Sequence, residues 1–445
     1  MYENKKILVL GMARSGYEVC KLLAKHNNDI TITDMKEQDE KQVEELKNLG
    51  VKYIITDTPE DLLDDSFDVL VKNPWIRKDH NCVLKARAIG INVVNEVEVA
   101  YSFLNPKDVT IVAITGSNGK TTTTTMIYNI LKEAGKSVHL GGNIGYPVSS
   151  LVSKVKKGDI LCLEISDHQL VDMYNFKSNI SVLTNLYEVH LDFHDNYAVY
   201  KNMKKRIFNH HTEKDLAFIN GGCSDCMMLT EDINSNKVYF SNKKDADCMI
   251  KNDAIYYKGE EIIKLYDIML KGMHNYENVM CAIMVCKEFN VSNDVIFKIL
   301  NNFGGVEHRI EYVDTIDEVD FYNDAKSTNV DSTIIAVDSF KTPTILLLGG
   351  LDRGHSFNPL EGHMNHVKMV VAYGETKDRI KSWCDSVNID CFVTETLKEA
   401  TRYAISCANS GDTVLLSPAC ASWDQYKNFE ERGEEFKKEV FKNLK

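Results

Sequence analysis

The stretch Thr110–Thr125, TIVAITGSNGKTTTTT, decides how this chain is read. An apolar strand runs into Gly116, and a helix opens at Thr121 directly after Gly119 and Lys120. That order turns backbone amides and a helix N-terminus toward phosphate. Glycine lets the backbone approach oxygen closely, Lys120 neutralises the β- and γ-phosphates, and the Thr121 hydroxyl ligates Mg²⁺. Gly116, Ser117, Asn118, Gly119, Lys120, Thr121 and Thr122 are therefore the expected nucleotide-binding loop. Its G-x-x-G-K-T spacing is shorter at the front than G-x-x-x-x-G-K-[ST], because Ile114 stands where the earlier glycine would be. The competing reading, a plain strand-to-helix turn, is disfavoured by Lys and Thr arriving together at the junction.

Outward from this stretch, strand and helix patterns alternate. KKILVLG is a short buried strand, ARSGYEVCKLLAKHN has helical spacing, and DITITD is a second strand, a βαβ opening. FDVLVKNP, and INVVNEVEVA after the helical VLKARAIG, continue the alternation and predict a parallel sheet up to Asn95. A new unit begins at DVTIVAITG, with strands ILCLEIS, ISVLTN and LAFING, and runs to the helical NDVIFKILNNFGG. PTILLLGG, VKMVVAYGE, IDCFVTE and DTVLLSPA form a third strand-rich set. The 445 residues exceed one ordinary core. The expectation is an α/β chain of three domains: 1–95, 96–301 with a parallel sheet carrying the phosphate loop, and 302–445.

A hydrophobic content of 44% with 26% charged residues is globular rather than disordered. A formal charge of -13 excludes broad nucleic-acid binding, which needs a basic face. An anionic ligand must then be met by local Lys, Arg and backbone amides. The 12 cysteines include Cys223 with Cys226 and Cys384 with Cys391, without zinc spacing around them, which predicts free cytosolic thiols. MYENKKILVL lacks a signal-peptide pattern, and no apolar run reaches the roughly 18 residues of a spanning helix, so a cytoplasmic chain without membrane insertion is expected.

Other constellations are weaker taken singly. GMARSG keeps Gly11 and Gly16 but has Ala13 at the middle glycine of G-x-G-x-x-G, which handicaps a nicotinamide dehydrogenase. Asp34 closes the second strand, where an acid bonds a ribose hydroxyl or base edge or else caps the next helix. Glu164 ends the strand of LEISDHQL, and TNLYEVHLDFH places His190, Asp192 and His194 after another strand. Carboxylate and imidazole beside a phosphate loop point to Mg²⁺.

Taken in order with LKGMHNYENVMCAIMV, FGGVEHRIEYV, YNDAKSTNVDST and LLSPACASWDQYKNFEERGEEF, these motifs resemble the Mur ligase family through nearly the whole chain. The C-terminal stretch is similar to the family branch that adds D-glutamate. The resemblance implies an N-terminal Rossmann-like domain for a UDP-sugar, a central P-loop ATPase domain, and a C-terminal Rossmann-like domain receiving the amino acid. It implies a monomer that uses ATP to convert the L-alanine carboxylate of UDP-N-acetylmuramoyl-L-alanine to an acyl phosphate, which the D-glutamate amine attacks.

The resemblance also implies residue roles. Thr121 and Glu164 would hold one Mg²⁺ and His190 a second, two ions in all, with Lys120 against the phosphates. A family lysine carbamylated by CO2 falls on Lys204, which Y-x-x-x-K-x-x-I selects through Tyr200 and Ile207; a solvated basic helix face is the rival. Asn275 and Asn278 match the adenine side, with helix capping by Asn275 as the rival. Arg309 matches a phosphate contact and Asp324 a ribose contact, with surface ion pairs as rivals. Lys326 and Thr328 match residues near the incoming glutamate, whose pocket takes Ser422 and Phe429, with Arg353 near its side-chain carboxylate. Arg14, Ser15 and Asp34 match uridine and diphosphate positions. Asn143 matches a sugar-peptide contact or is a left-handed turn residue.

Three departures stand against the pattern: Trp75 in NPW where the family often has the glycine of S-P-G, Val189 where an acid commonly precedes the histidine, and Gly221 and Gly222 where aspartates often follow Asn220. They leave open another ligase of this architecture, such as a folylpolyglutamate type, or a nucleotide-binding regulator without catalysis.

Overall fold

The computed structural model describes residues 2–188 and 193–442. The chain divides into two compact units, Met1–Asn302 and Phe303–Lys445. Among the described residues no helix is long and apolar enough to cross a membrane.

The first sheet of unit one joins β1 (Lys6–Leu10), β2 (Asp29–Asp34), β3 (Lys52–Ile55), β4 (Val69–Lys72) and β5 (Asn92–Val94), all parallel, in the order β3-β2-β1-β4-β5. Helices cover both faces, so β1 is a continuous apolar run with Ile7 to Leu10 buried. INVVNEVEVA is a strand to Val94, in keeping with a sheet expected up to Asn95, and Glu96–Ser102 beyond it is a helix. Asn95 caps it, its side-chain oxygen accepting the Glu98 amide at 3.1 Å, and the acids Glu96 and Glu98 suit the positive helix end. This local chemistry overrides the β-propensity of the valines.

The second sheet of unit one contains β6 (Thr110–Thr115), β7 (Val138–Gly142), β8 (Ile160–Glu164), β9 (Ile180–Leu183), β10 (Leu216–Asn220), β11 (Asn236–Ser241), β12 (Cys248–Lys251), β13 (Ala254–Tyr257) and β14 (Glu260–Lys264). Its order is β14-β13-β12-β11-β10-β9-β6-β8-β7, parallel except for the last two pairings at the β14 end. Left-handed Asn252 and Asp253, then Lys258 and Gly259, close the two hairpins of that edge. The chain leaves β6 toward β7 and β8, then crosses to β9 on its other side. β6 is therefore the switch point of the sheet, where ligands sit beyond the carboxyl ends of the strands.

Unit two holds β15 (Glu311–Ile316), β16 (Val319–Asn323), β17 (Thr344–Gly349), β18 (Val367–Tyr373), β19 (Cys391–Val393) and β20 (Thr413–Leu416). The order is β15-β16-β20-β17-β18-β19, with the β15–β16 hairpin antiparallel and the rest parallel. Apolar cores lie on both faces of this sheet.

Candidate active site

The loop after β6 lies at the switch point and is braced by the strand beside it. Gly116 and Gly119 have φ of 148° and 79°, and a Cβ on them would come within 2.0 Å of Thr184 Oγ1 and 2.1 Å of Asn278 Oδ1, so only glycine fits either position. The Ser117 amide donates to the Asn185 carbonyl at 3.0 Å and the Asn118 amide to Asn185 Oδ1 at 2.8 Å. Thr184 Oγ1 donates to the Asn118 carbonyl at 2.7 Å. Ser117 Oγ meets the Tyr200 hydroxyl at 2.7 Å and accepts the Tyr187 amide at 2.9 Å. Lys120 Nζ donates to the carbonyls of Gly116 and Ser117 at 2.7 and 2.8 Å, which holds the ammonium over the loop. Thr121 is buried in the first turn of Lys120–Glu133, which also contains Thr122.

Glu164 ends β8 next to this loop and is buried. Asn143 Nδ2 donates to its Oε1 at 2.7 Å and the Asn143 amide to its carbonyl at 2.8 Å, whereas Oε2 is buried with no hydrogen-bond partner among the described residues. A buried acceptor left over on a carboxylate beside a phosphate loop fits a divalent cation. Asn143 is not in the left-handed region, so the turn-residue alternative falls.

The helix Asp167–Leu170 starts with a capping box between Ser166 and Gln169 and aims Asp167 into the interior. Asp167 receives Lys204 Nζ at 3.0 Å, His194 Nε2 at 2.8 Å and His168 Nδ1 at 3.2 Å. Burial pushes the Asp167 carboxyl up, but His168, His194 and Lys204 outweigh it and hold the acid well below the usual range. Lys204 is fully buried in Tyr197–Lys205, which overturns the solvated-face alternative. Burial lowers its pKa, opposed by Asp167 and Glu164. His190 and Asp192 lie outside the described residues.

Around the first glycine loop, Asp34 Oδ2 accepts the Met12 amide at 2.8 Å, and Asp39, not Asp34, caps the following helix. Arg14 and Ser15 open the helix Arg14–Ala24, and the Arg14 guanidinium donates to the Gly145 carbonyl at 2.5 Å. Trp75 is 68% exposed, and its ring lies 4.3 Å from that of His168. The tryptophan that departs from the family pattern therefore touches a partner of Asp167.

Asn278 on the helix Met273–Glu288 accepts from Thr123 Oγ1 at 3.3 Å, and Asn275 lies one turn before it, 3.4 Å away. Asn275 does not cap its helix; its side chain donates to the Lys271 carbonyl.

In unit two, Asp324 is buried rather than part of a surface pair, accepting from the Ile310 amide at 3.2 Å and Ser417 Oγ at 2.7 Å. Burial raises its carboxyl to about 6. Arg309 is exposed in the neighbouring turn. Lys326 Nζ stands 5.9 Å above the Phe429 ring, and Thr328 follows two residues on, partly buried. Ser422 is buried, and Arg353 stacks over Trp423 at 4.7 Å. Arg432, fully buried, donates to the carbonyls of Cys420 and Ala325 at 2.9 and 2.8 Å and ties the two loops together.

Sequence reasoning passed over Asp167, His168, His194 as a partner of Asp167, Thr184, Asn185, Trp423 and Arg432. The S-x-x-Q box at Ser166, with two titratable side chains inside it, and small polar residues just after a buried strand were the available signals.

Two family models match, the Mur ligase middle domain over residues 114–286 and the Mur ligase glutamate ligase domain over residues 308–420. The chain is 41% identical over 440 residues to the UDP-N-acetylmuramoylalanine–D-glutamate ligase of Geobacillus sp. (strain WCH70), covering 98% of this chain and 97% of the relative. It is 42% identical over 437 residues to the protein of that name from Streptococcus thermophilus, covering 98% and 96%. Among solved structures it resembles the UDP-N-acetylmuramate-alanine ligase of Thermotoga maritima, with a TM-score of 0.60 at 19% identity over 99% of this chain and 100% of that one. It also resembles the MurF ligase of the same organism in complex with ADP, with a TM-score of 0.55 at 14% identity over 100% and 96%.

Proposed function

The chain belongs to the Mur ligase family, and we propose that it joins D-glutamate to UDP-N-acetylmuramoyl-L-alanine at the expense of ATP, in peptidoglycan precursor synthesis. The observation that carries this reading is identity of about two residues in five, over almost the full length, to ligases named for that reaction. We assign residues 1–95 to the UDP-sugar, 96–301 to ATP and 302–445 to the amino acid, in a cytoplasmic monomer.

The chemistry explains the parts. A carboxylate lacks a leaving group, so transfer of the γ-phosphoryl to the L-alanine carboxylate makes an electrophilic acyl phosphate. Both reactants are anions, and the loop amides with Lys120 offset their repulsion. Gly116, Ser117, Asn118, Gly119, Lys120, Thr121 and Thr122 cradle the phosphates. Asn275 and Asn278 face the adenine, Arg309 a phosphate and Asp324 the ribose.

The Oε2 of Glu164, buried without a hydrogen-bond partner among the described residues, supports a Mg²⁺ held by Glu164 and Thr121, with His190 for a second ion. Bound Mg²⁺ would supply Lewis-acid charge to the phosphoryl oxygens. Burial of Lys204 favours the neutral amine that adds CO2, which supports carbamylation there. Asp167, His168 and His194 fix the position of that side chain.

Arg14, Ser15 and Asp34 hold the uridine diphosphate and Asn143 the sugar-peptide. Lys326, Thr328, Arg353, Ser422 and Phe429 receive D-glutamate, whose two carboxylates call for cations and hydroxyls. Its amine attacks the acyl carbon, and the tetrahedral adduct expels phosphate to leave the amide.

Phosphate release is measured with ATP, Mg²⁺ and UDP-N-acetylmuramoyl-L-alanine, with D-glutamate or a panel of other amino acids. The expected result is release stimulated by D-glutamate together with an amide product by mass spectrometry. Release indifferent to D-glutamate, with no such product, sinks the proposal. Carbon-13 bicarbonate that gives no carbamate signal dependent on Lys204 removes the carbamylation.

A further inference from the structure

We propose that Cys223 and Cys226 are a peroxide-oxidisable dithiol whose disulfide weakens nucleotide binding at the phosphate loop. This inference rests on the nucleotide-binding reading of that loop.

Every cysteine in the chain is a free thiol, and most of them are packed into cores. Burial drives Cys20, Cys162 and Cys248 far above the ordinary thiol range, which makes them inert. Cys223 differs. It is partly buried at the N-terminal boundary of the helix Ser224–Leu229, and Cys226 lies three residues on, on the same face of the first turn and fully buried. The Met227 amide donates to the Cys223 carbonyl at 3.1 Å, which closes the turn that brings Cys223 and Cys226 together; the Cys226 side chain, acting against burial and with backbone groups assisting, brings Cys223 down to about 5, while Cys226 is pushed up. Exposure divides the pair in the same sense: peroxide reaches the partly buried Cys223, and the buried Cys226 is left to resolve. The acid between them does not oppose the thiolate, because Asp225 is paired with Lys201 Nζ at 2.7 Å and accepts from the Tyr197 hydroxyl at 2.8 Å. Gly221 and Gly222, just before the pair, add no charge.

Two short paths connect the pair to the loop. The Cys223 amide donates to the Asn220 carbonyl at 3.3 Å, Asn220 Nδ2 donates to the Thr184 carbonyl at 2.9 Å, and Thr184 Oγ1 holds the Asn118 carbonyl at 2.7 Å. Cys223 Sγ also lies 3.9 Å from the Leu186 carbonyl, and the next residue, Tyr187, donates its amide to Ser117 Oγ at 2.9 Å. A disulfide fixes its sulfurs about 2.0 Å apart and its Cβ atoms about 3.8 Å apart. Closing to that geometry draws Cys223 toward the helix and pulls on both braces of the loop.

The chemistry balances with hydrogen peroxide as the oxidant. The Cys223 thiolate attacks one peroxide oxygen, an S–O bond forms as the O–O bond breaks, and the departing hydroxide takes up a proton as water. The Cys226 thiol then attacks the sulfenic sulfur. An S–S bond forms, the S–O bond breaks, and the oxygen leaves as a second water. Two thiols lose two electrons and one peroxide is reduced to two waters.

The test treats the full-length protein with hydrogen peroxide, blocks remaining thiols with iodoacetamide, maps linked peptides by mass spectrometry, and titrates a fluorescent ATP analogue. Oxidation is expected to link Cys223 to Cys226 and weaken the analogue several-fold, both reversed by dithiothreitol. Cys223→Ser, at the partly exposed position, should bind the analogue normally and ignore peroxide, while Cys226→Ser should trap a dimedone-reactive sulfenic acid on Cys223. Linkage confined to Cys384 and Cys391, or an oxidised pair with unchanged affinity, overturns the inference. Reduced wild-type protein that binds no analogue overturns the functional reading above, and the switch with it.

Discussion

Lys72 and Lys204 are both fully buried, and each meets an aspartate of one short segment: Lys72 Nζ lies 2.8 Å from Asp172, and Lys204 Nζ lies 3.0 Å from Asp167. Burial lowers both lysines, and the paired aspartate pulls each back. Their surroundings differ. Lys72 also donates to the Ile76 carbonyl at 2.9 Å, and the second oxygen of Asp172 faces Arg87 at 3.4 Å, which closes a structural ion pair between the first sheet and the segment after β8. Around Lys204, two histidines crowd the same aspartate, and Glu164 keeps nearby an oxygen without a hydrogen-bond partner among the described residues. Burial with pairing thus does not mark function. An excess of titratable partners beside a phosphate loop does.

Substitution at the two lysines separates these roles. Lys204→Ala, like Lys120→Ala, is expected to lower turnover at least about a hundredfold in the phosphate-release assay, the scale of losing a preorganised charge. Lys72→Met is expected to leave turnover per folded molecule within about twofold while costing about 3–5 kcal/mol in urea unfolding, because Asp172 stays buried and uncompensated. Replacing Asp172 by Leu in the same chain should return most of that stability. Loss of turnover in Lys72→Met at unchanged stability breaks the comparison.

A buried acid without a cation sharpens it. Glu96 is buried, its carboxylate accepts the Ser149 amide, and burial raises it to about 7 from 4.5. The folded state then holds a proton that the unfolded state has lost between those values. Stability from this group is whole below the unfolded value, falls as pH rises toward 7, and is flat above. The loss is on the order of 3 kcal/mol at most. Glu96→Gln should flatten that slope, so chemical-denaturation midpoints of wild type and variant should diverge between pH 5 and pH 8. Parallel curves remove Glu96 from this account.

The same contrast explains what was legible in the sequence. The phosphate loop has contiguous determinants, so Gly116, Gly119 and Lys120 were evident, as was the parallel α/β pattern of the strands leading to it. The Asp167 cluster is assembled from three segments ending at Asp167, His194 and Lys204, and pairing across such distances leaves no local period. Lys204 came from the family resemblance, through the Tyr200–Ile207 pattern; Asp167 had only the capping box beside it. The first sheet was expected up to Asn95 and its last strand ends at Val94; the helix Glu96–Ser102 was not singled out because its valines alternate, and the Asn95 cap is what starts it.

The smallest expected effect lies at the edge of the cluster. Trp75 is exposed on one side and packed against His168 on the other, and His168 contacts Asp167. An aromatic pair of this kind contributes about 0.5–1.5 kcal/mol beyond its buried area. If Trp75 orients His168, Trp75→Gly should lower turnover roughly three- to tenfold through the position of Asp167, and Trp75→Phe, which keeps a ring, should recover most of it. If Trp75 only lines the sugar site, both variants should change KM for the UDP-sugar and leave turnover alone. The split between kcat and KM therefore decides whether this departure belongs with Lys204, among groups that serve the reaction, or with Lys72, among groups that hold the fold.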